Sequence, residues 1–377
     1  MIGNYIIAFI LGIFTTYIIM PNIIRLSHKI GAIDVPKQER KIHKNPTPRL
    51  GGLAIIISFI FTTIYLLLLA YVEKVINVSF FEEYKRQFIG MGLSIIIITI
   101  MGVLDDSKEL NPFIKLLMQS AAAIITIYCG ITIKTIDLST TGVINLGKVL
   151  TYVISFFWIV GIMNSINLID GLNCLSTGIV TIALTSLIVI FKLNSSPIIA
   201  TILAVSLLGS IIGFIPYNKS PAKSFVGDTG TNFLGYMIAV ISILGVAKTY
   251  TLGIIIAPVI ALILPIMDTL FAIIRRLFTK KSLKGVFEAD RGHIHHRLLK
   301  KGLTPHQVVY IFYLITACSG LLAILLLEGN VTKILTFALI LAILTVLGFN
   351  DILKQLNEEK VKYLEIINEE NNEKKTK

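Results

Sequence analysis

Cysteine is scarce in this chain, and its placement excludes two classes of protein. The three residues, Cys129, Cys174 and Cys318, lie in or beside separate apolar stretches with no metal-type spacing. Neither a disulfide framework nor a cysteine zinc site is expected, and each reads as a small packing residue. Internal repetition is missing too, and no pair of broken helices mirrors another as in inverted-repeat transporters. The first apolar stretch lacks the charged leader and small-residue cleavage site of a signal peptide, so it is expected to be retained.

What the chain has in excess is apolar length. Of its 377 residues 55% are hydrophobic, and the mean hydropathy is +0.82, the composition of an integral membrane protein. A bilayer-spanning helix needs about 20 mainly apolar residues. Stretches near 3–23, 52–71, 88–104, 113–131, 149–163, 174–191, 198–215, 231–247, 251–272, 307–327 and 333–350 meet that need. The expectation is an all-α polytopic membrane protein with about eleven transmembrane helices. Residues 1–350 form its membrane domain and 351–377 a charged cytoplasmic tail. A Thr/Ile-rich stretch at 132–148 predicts a short outer hairpin.

Orientation follows from Lys and Arg, which favour the cytoplasmic side. With residues 24–50 inside, 26 of the 34 basic residues fall on inner loops and the tail. This predicts the N-terminus outside and the C-terminus in the cytoplasm. The net charge of +12 is then explained by anionic lipid, with no nucleic acid required.

Five polar clusters interrupt the apolar background, and the span count puts all five on one membrane face. Asp105 and Asp106 end the third span. Neighbouring helix positions point about 100° apart, so one ion is not expected to take both side chains while the helix continues. One acid would face substrate and the other structure or a second ligand. Two acids at a helix C-terminus also oppose the macrodipole and ask for a cation.

Asn164, Asn167, Asp170 and Asn173 recur at steps of three, along one helix face. Their oxygens suit Mg2+, and the same stripe suits interhelical hydrogen bonding. Asp228 stands between glycines just before a span, where it can hold a metal while neighbouring N–H groups meet phosphate, or can simply cap the helix. Asn218, ten residues upstream, offers an amide to a polar base edge.

Arg291, His293, His295, His296 and Arg297 fill the most basic inner loop. Donors for a diphosphate, a zinc site and a merely basic loop are all readings of it, although the spacing matches no zinc motif. His43, Lys44 and Arg49 sit on a Pro-braced loop where a lysine charge suits a diphosphate. Asp268, within or ending the ninth span, would cost roughly 2.5–3.5 kcal/mol unpaired, so it requires a partner, Arg275 or the His loop.

Together these stretches resemble the polyprenyl-phosphate N-acetylhexosamine-1-phosphate transferases from about residue 20 to 350. The DD pair, N-x-x-N-x-x-DG, F-x-GD-x-G and H-x-HH stand in family order. The resemblance implies a UDP-amino-sugar donor, a polyprenyl-phosphate acceptor, Mg2+ with Mn2+ as substitute, and UMP as product. It makes Asp228 the principal metal ligand and Asn167 a second. It places Asp105, Asp106, Asp170 and Lys44 in the catalytic set. Asn218 and Phe225 match positions that hold uracil, Gly171, Leu172 and Asn173 line the nucleotide pocket, and Arg291, His293, His295 and His296 face the diphosphate. One departure stands out: the bacterial run resembles DGLDG, whereas this chain has DGLNC.

The expected activity is transfer of GlcNAc-1-phosphate to undecaprenyl phosphate at the cytoplasmic face of the cell membrane, with a homodimer left open. The alternatives are phospho-MurNAc-pentapeptide transfer, a secondary transporter and a non-catalytic lipid-binding scaffold.

Overall fold

The computed structural model describes residues 2–36, 45–137, 143–246, 259–260, 262–280, 293–328 and five positions between 332 and 337. Its helices are α1 (Ile2–Ile30), α2 (Gly51–Val72), α3 (Val78–Lys108), α4 (Pro112–Tyr128), α5 (Lys148–Ile169), α6 (Leu175–Leu193), α7 (Ile198–Asn218), α8 (Gly227–Val246), α9 (Ile263–Lys280), α10 (Ile294–Lys300) and α11 (Pro305–Glu328). Two antiparallel pairs complete it, β1 (Ile33–Asp34) with β2 (Thr47–Pro48), and β3 (Thr135–Asp137) with β4 (Val143–Asn145). The second pair is the hairpin expected at 132–148.

Seven of these helices, α1, α2, α3, α5, α6, α7 and α11, are long and apolar enough to cross a membrane. The chain is a multi-pass membrane protein. Its outer wall is apolar, with Phe14, Ile18 and Leu68 each more than half exposed, as hydrocarbon contact demands and water forbids. Eleven spans are expected and seven are found among the described residues; of the other four stretches, that near 231–247 is present as the helix α8 but is not one of the seven. The helix α4 has only 17 residues, and the stretch near 251–272 is described only in part, as α9. The stretch near 333–350 and the tail 351–377 lie almost wholly outside the described residues.

The helix α8 is the axle of the bundle. Every residue from Thr229 to Gly245 is buried, which is the pattern of a helix surrounded by others rather than one facing lipid. It packs on α2, α3, α5, α6 and α7. Its N-terminal turn meets α2 so closely that a Cβ at Gly52 would collide with the backbone of Gly230. Small residues let backbones approach in the absence of a hydrophobic drive between helices.

The helices α1 to α8 alternate in direction. The C-termini of α1, α3, α5 and α7 therefore share one end with the N-termini of α2, α4, α6 and α8. Contacts across that end bear this out: Asp106 meets Asp228, Asn218 meets Cys174, and Arg49 meets Ala32.

Candidate functional site

The acid pair sits on unbroken helix. The helix α3 runs through Asp105 and Asp106 to Lys108 and ends at Glu109 in the left-handed region, φ 51°. The two carboxylates accordingly diverge. Asp105 folds back, its Oδ1 accepting the Leu110 N–H at 2.7 Å, while Oδ2 pairs with the Lys115 ammonium. Asp106 turns to α8 instead. It accepts the backbone N–H groups of Asp228 (2.8 Å) and Thr229 (2.9 Å) and the Thr229 hydroxyl (2.7 Å).

That arrangement corrects one sequence expectation. The N–H groups flanking Asp228 do not await a phosphate, because Asp106 has taken them. The anion at the positive end of α8 is an aspartate of the protein itself. A side chain at Gly227 would strike both Asp106 and the carbonyl of Arg49, and its φ of 69° suits glycine.

Asp228 collects three partners. Asn167 donates its amide to Oδ1 at 2.6 Å, Lys115 stands 3.6 Å from the same oxygen, and Arg49 lies 3.3 Å from Oδ2. Arg49 reaches Asp106 as well, at 3.5 Å. A short backbone ladder places it there: Phe225 donates to Pro48, and Gly51 and Gly52 donate to Phe225 and Val226. Asn167, expected as a metal ligand, presents nitrogen rather than oxygen to Asp228, and its Nδ2 also meets Thr231 at 2.8 Å.

Behind Asp228 a polar seam descends between α4 and α8. Asn232 donates to the Asp228 carbonyl (2.8 Å) and accepts from Gln119 (2.7 Å), which accepts in turn from Asn164 (2.9 Å). Asn164 is thus interhelical structure and not part of the site. Two turns deeper Tyr236, Thr126 and Ser94 hydrogen-bond to one another. The helix faces match, since Asp228, Asn232 and Tyr236 are four apart and share one stripe.

On the other side of Asp228 opens a cavity of about 900 Å³, within the range of small-molecule sites. Asn167, Asp170, Gly171, Leu172 and Asn173 line it from the α5–α6 junction. Asn218, Phe225 and Asp228 line it from the α7–α8 junction, and His296 from α10. Asp170 caps the end of α5 and accepts the Ser176 hydroxyl at 2.6 Å. Burial pushes its carboxyl up to about 7 against the help of Ser176, and the charges of Asp228 and Asp106 add to the rise.

Asn218 is 3% exposed and ties two loops together. Its Oδ1 accepts the Cys174 N–H at 2.9 Å and its Nδ2 donates to the Ser224 carbonyl at 3.2 Å. Little of the amide remains for a ligand. Cys174 stands at φ 63°, which explains why a glycine at this point of the related motif is natural. Burial lifts its thiol to about 11, with Asp170 adding to the rise, so it is chemically quiet.

The three histidines part company. His293 pairs through Nδ1 with Asp268 Oδ2 at 2.8 Å, and Asp268 Oδ1 accepts the Ile294 N–H. Of the two partners expected for Asp268, the His loop is the one found. His295 is 1% exposed, wedged against Gly171, with neither ring nitrogen hydrogen-bonded. Burial drives its pKa down to about 4, with His296 and His293 adding to the fall. Of the three only His296 lines the cavity. Lys44 and Arg291 lie outside the described residues.

Among the described residues, no three His, Cys, Asp or Glu side chains converge as a ready ligand set. A magnesium ion does not need one, since it takes one or two carboxylates and completes its shell with water and phosphate. Asp105 and Asp228, already joined by an ammonium, fit that description. Lys115 and the Asp-bridging role of Arg49 escaped sequence reasoning. The available signal was a lysine in the first turn of α4, against the helix dipole, ten residues after Asp105.

Residues 88–246 match the profile of glycosyl transferase family 4. A Bacillus subtilis (strain 168) protein named "Probable undecaprenyl-phosphate N-acetylglucosaminyl 1-phosphate transferase" is 38% identical over 90% of this chain and 89% of its own. The decaprenyl-phosphate N-acetylglucosaminephosphotransferase of Mycobacterium leprae is 30% identical over 77% of this chain and 75% of its own. The phospho-N-acetylmuramoyl-pentapeptide-transferase of Staphylococcus carnosus is 28% identical over 85% and 97%.

Proposed function

Because this chain belongs to glycosyl transferase family 4, among the polyprenyl-phosphate N-acetylhexosamine-1-phosphate transferases, we propose that it transfers GlcNAc-1-phosphate from UDP-GlcNAc to undecaprenyl phosphate. UMP is released, and the step begins a cell-envelope polymer. The observation that carries the reading is the convergence of Asp105, Asp106 and Asp228 on Lys115 and Arg49 beside the cavity. The GlcNAc donor is favoured over MurNAc-pentapeptide by the higher identity to the Bacillus relative.

A lipid phosphate oxygen attacks the sugar-bearing phosphorus, the bond from that phosphorus to the bridging oxygen breaks, and the electron pair leaves on UMP. No general base is required, because a phosphate monoester with second pKa near 6 is about nine-tenths dianionic at pH 7. Positioning and charge neutralisation supply the catalysis. Arg49, Lys115, His296 and the undescribed Lys44 provide cations or donors. Magnesium held by Asp228 and Asp105 would add neutralisation of the diphosphate, with Mn2+ as substitute, and Asn167 joins them.

The reading includes eleven spans, an outer N-terminus, a cytoplasmic C-terminus and a cytoplasmic active site in the plasma membrane. The concentration of Lys and Arg on one side supports it, and a homodimer is compatible with it. The test offers purified protein UDP-GlcNAc, UDP-GalNAc and UDP-MurNAc-pentapeptide with undecaprenyl phosphate, and weighs the lipid products. A GlcNAc-phosphate adduct is expected; a muramoyl-peptide adduct, or none with any donor, would sink the proposal.

A further inference from the structure

The two cations at the acid cluster are held differently. Arg49 is locked by its backbone ladder and spans Asp106 and Asp228. Lys115 spans Asp105 and Asp228 from a flexible stem, with a side chain 27% exposed. Asp106 has its oxygens filled by three donors of α8. Asp105 and Asp228 are therefore the carboxylates with capacity for another ligand, and the Lys115 ammonium stands between them. A compact point charge between two carboxylates is what a hard cation would be there. Lysine in the first turn of a helix is disfavoured by the macrodipole, so its presence at α4 depends on these acids.

We propose that Lys115 occupies, in the resting protein, the position a divalent cation takes during turnover. Metal entry sends the ammonium from Asp228 to the phosphate that arrives with the metal. The inference rests on the transferase reading above. Charge balance favours the exchange: three carboxylates against two cations leave one negative charge, and a divalent ion added without displacement would reverse its sign. A diphosphate arriving with the ion restores the balance and gives the lysine a new partner. Metal alone thus binds weakly, and nucleotide tightens it.

The test titrates Mn2+ into the full-length protein in detergent, followed by electron paramagnetic resonance, without nucleotide or lipid. Lys115→Met is expected to bind Mn2+ about tenfold tighter or more, because a competing positive charge a few ångströms away is gone. The same variant should lose about tenfold or more in turnover. Asp228→Asn must abolish the Mn2+ signal in either background, which assigns it to this site. A merely structural lysine would loosen metal binding when removed, so unchanged or weaker binding by Lys115→Met overturns the proposal. Lys115→Gln gives the same readout should the methionine variant fail to fold. Failure of the transferase reading looks different: wild-type protein would form no lipid product from any donor, while the Mn2+ comparison stays readable.

Discussion

Asp106 caps the helix that carries Asp228, its Oδ1 accepting the Asp228 N–H at 2.8 Å from 122 residues away. Two acids that look alike in sequence as candidate ligands thus stand in a hierarchy: one builds the helix end, and the other is presented by it. Arg49 bridges the pair and keeps their charges compatible.

Replacement of Asp106 should therefore read as a folding defect first. Asp106→Ala leaves two backbone N–H groups and a hydroxyl without an acceptor, at about 1.5–3 kcal/mol for each hydrogen bond to a charged group before relaxation. A stability loss of about 2–4 kcal/mol is expected, together with loss of activity. Thermal unfolding in detergent checks it, and an unshifted midpoint would contradict the capping role.

Asp105→Asn should behave in the opposite way. The variant retains an oxygen for the Leu110 N–H, so the fold is preserved, but the carboxylate facing Lys115 is gone. Activity is expected to drop by well over about tenfold at pH 7, more than protonation of a phosphate with pKa near 6 can account for. A loss below tenfold that vanishes at pH 9 would make Asp105 a simple base. Rates measured across pH 6–9 decide.

Gln119 offers a test of the seam. Gln119→Leu leaves the buried amides of Asn232 and Asn164 short of a partner, at a cost of about 1–2 kcal/mol in a membrane interior. Since Asn232 holds the Asp228 carbonyl and takes its other hydrogen bond from Gln119, turnover should fall too. Wild-type activity in Gln119→Leu would show that the seam does not reach the site.

Cys174 carries a backbone cost that glycine avoids. A non-glycine residue at φ 63° stores on the order of 1 kcal/mol or more. Cys174→Gly should raise stability by about 1 kcal/mol and leave turnover within about twofold, because the Asn218 contact uses only the backbone N–H. Paired thermal melts and steady-state rates measure both.

His295 sets part of the acid sensitivity. Its folded pKa, about 4, lies below the usual histidine value of 6.5, so its contribution is fully present above pH 6.5 and disappears as pH falls through about 4. The shift corresponds to about 3 kcal/mol at 1.36 kcal/mol per pKa unit. His295→Phe should remove that part of the acid limb, so the stability gap between the two proteins changes between pH 7 and pH 4. A constant gap would show that the ring is not held neutral.

Much of the architecture was legible before any coordinates. Apolar runs of span length predict helices because an unpaired peptide group is prohibitive in hydrocarbon, and seven of the expected stretches appear as spans. The divergence of Asp105 and Asp106 followed from 100° of helix rotation. The hairpin at 135–145 and the His-loop partner of Asp268 were readable from local composition and the cost of a lone buried acid.

Other features depend on packing between segments far apart in the chain. That Asp106 consumes the N–H groups beside Asp228 and that only His296 of three histidines lines the cavity have no local signature, and the dipole-opposed Lys115 signals an acid partner without saying which acids it joins. Each is set by how helix ends meet, and hydrogen-bond partners more than a hundred residues away leave no periodicity to read. Residue types and helical spacing alone determined that acids and amides gather at one end of a membrane bundle. Only the tertiary structure decided which of them are already satisfied by the protein and which remain for a ligand, because a carboxylate's free capacity depends on the donors that folding brings to it.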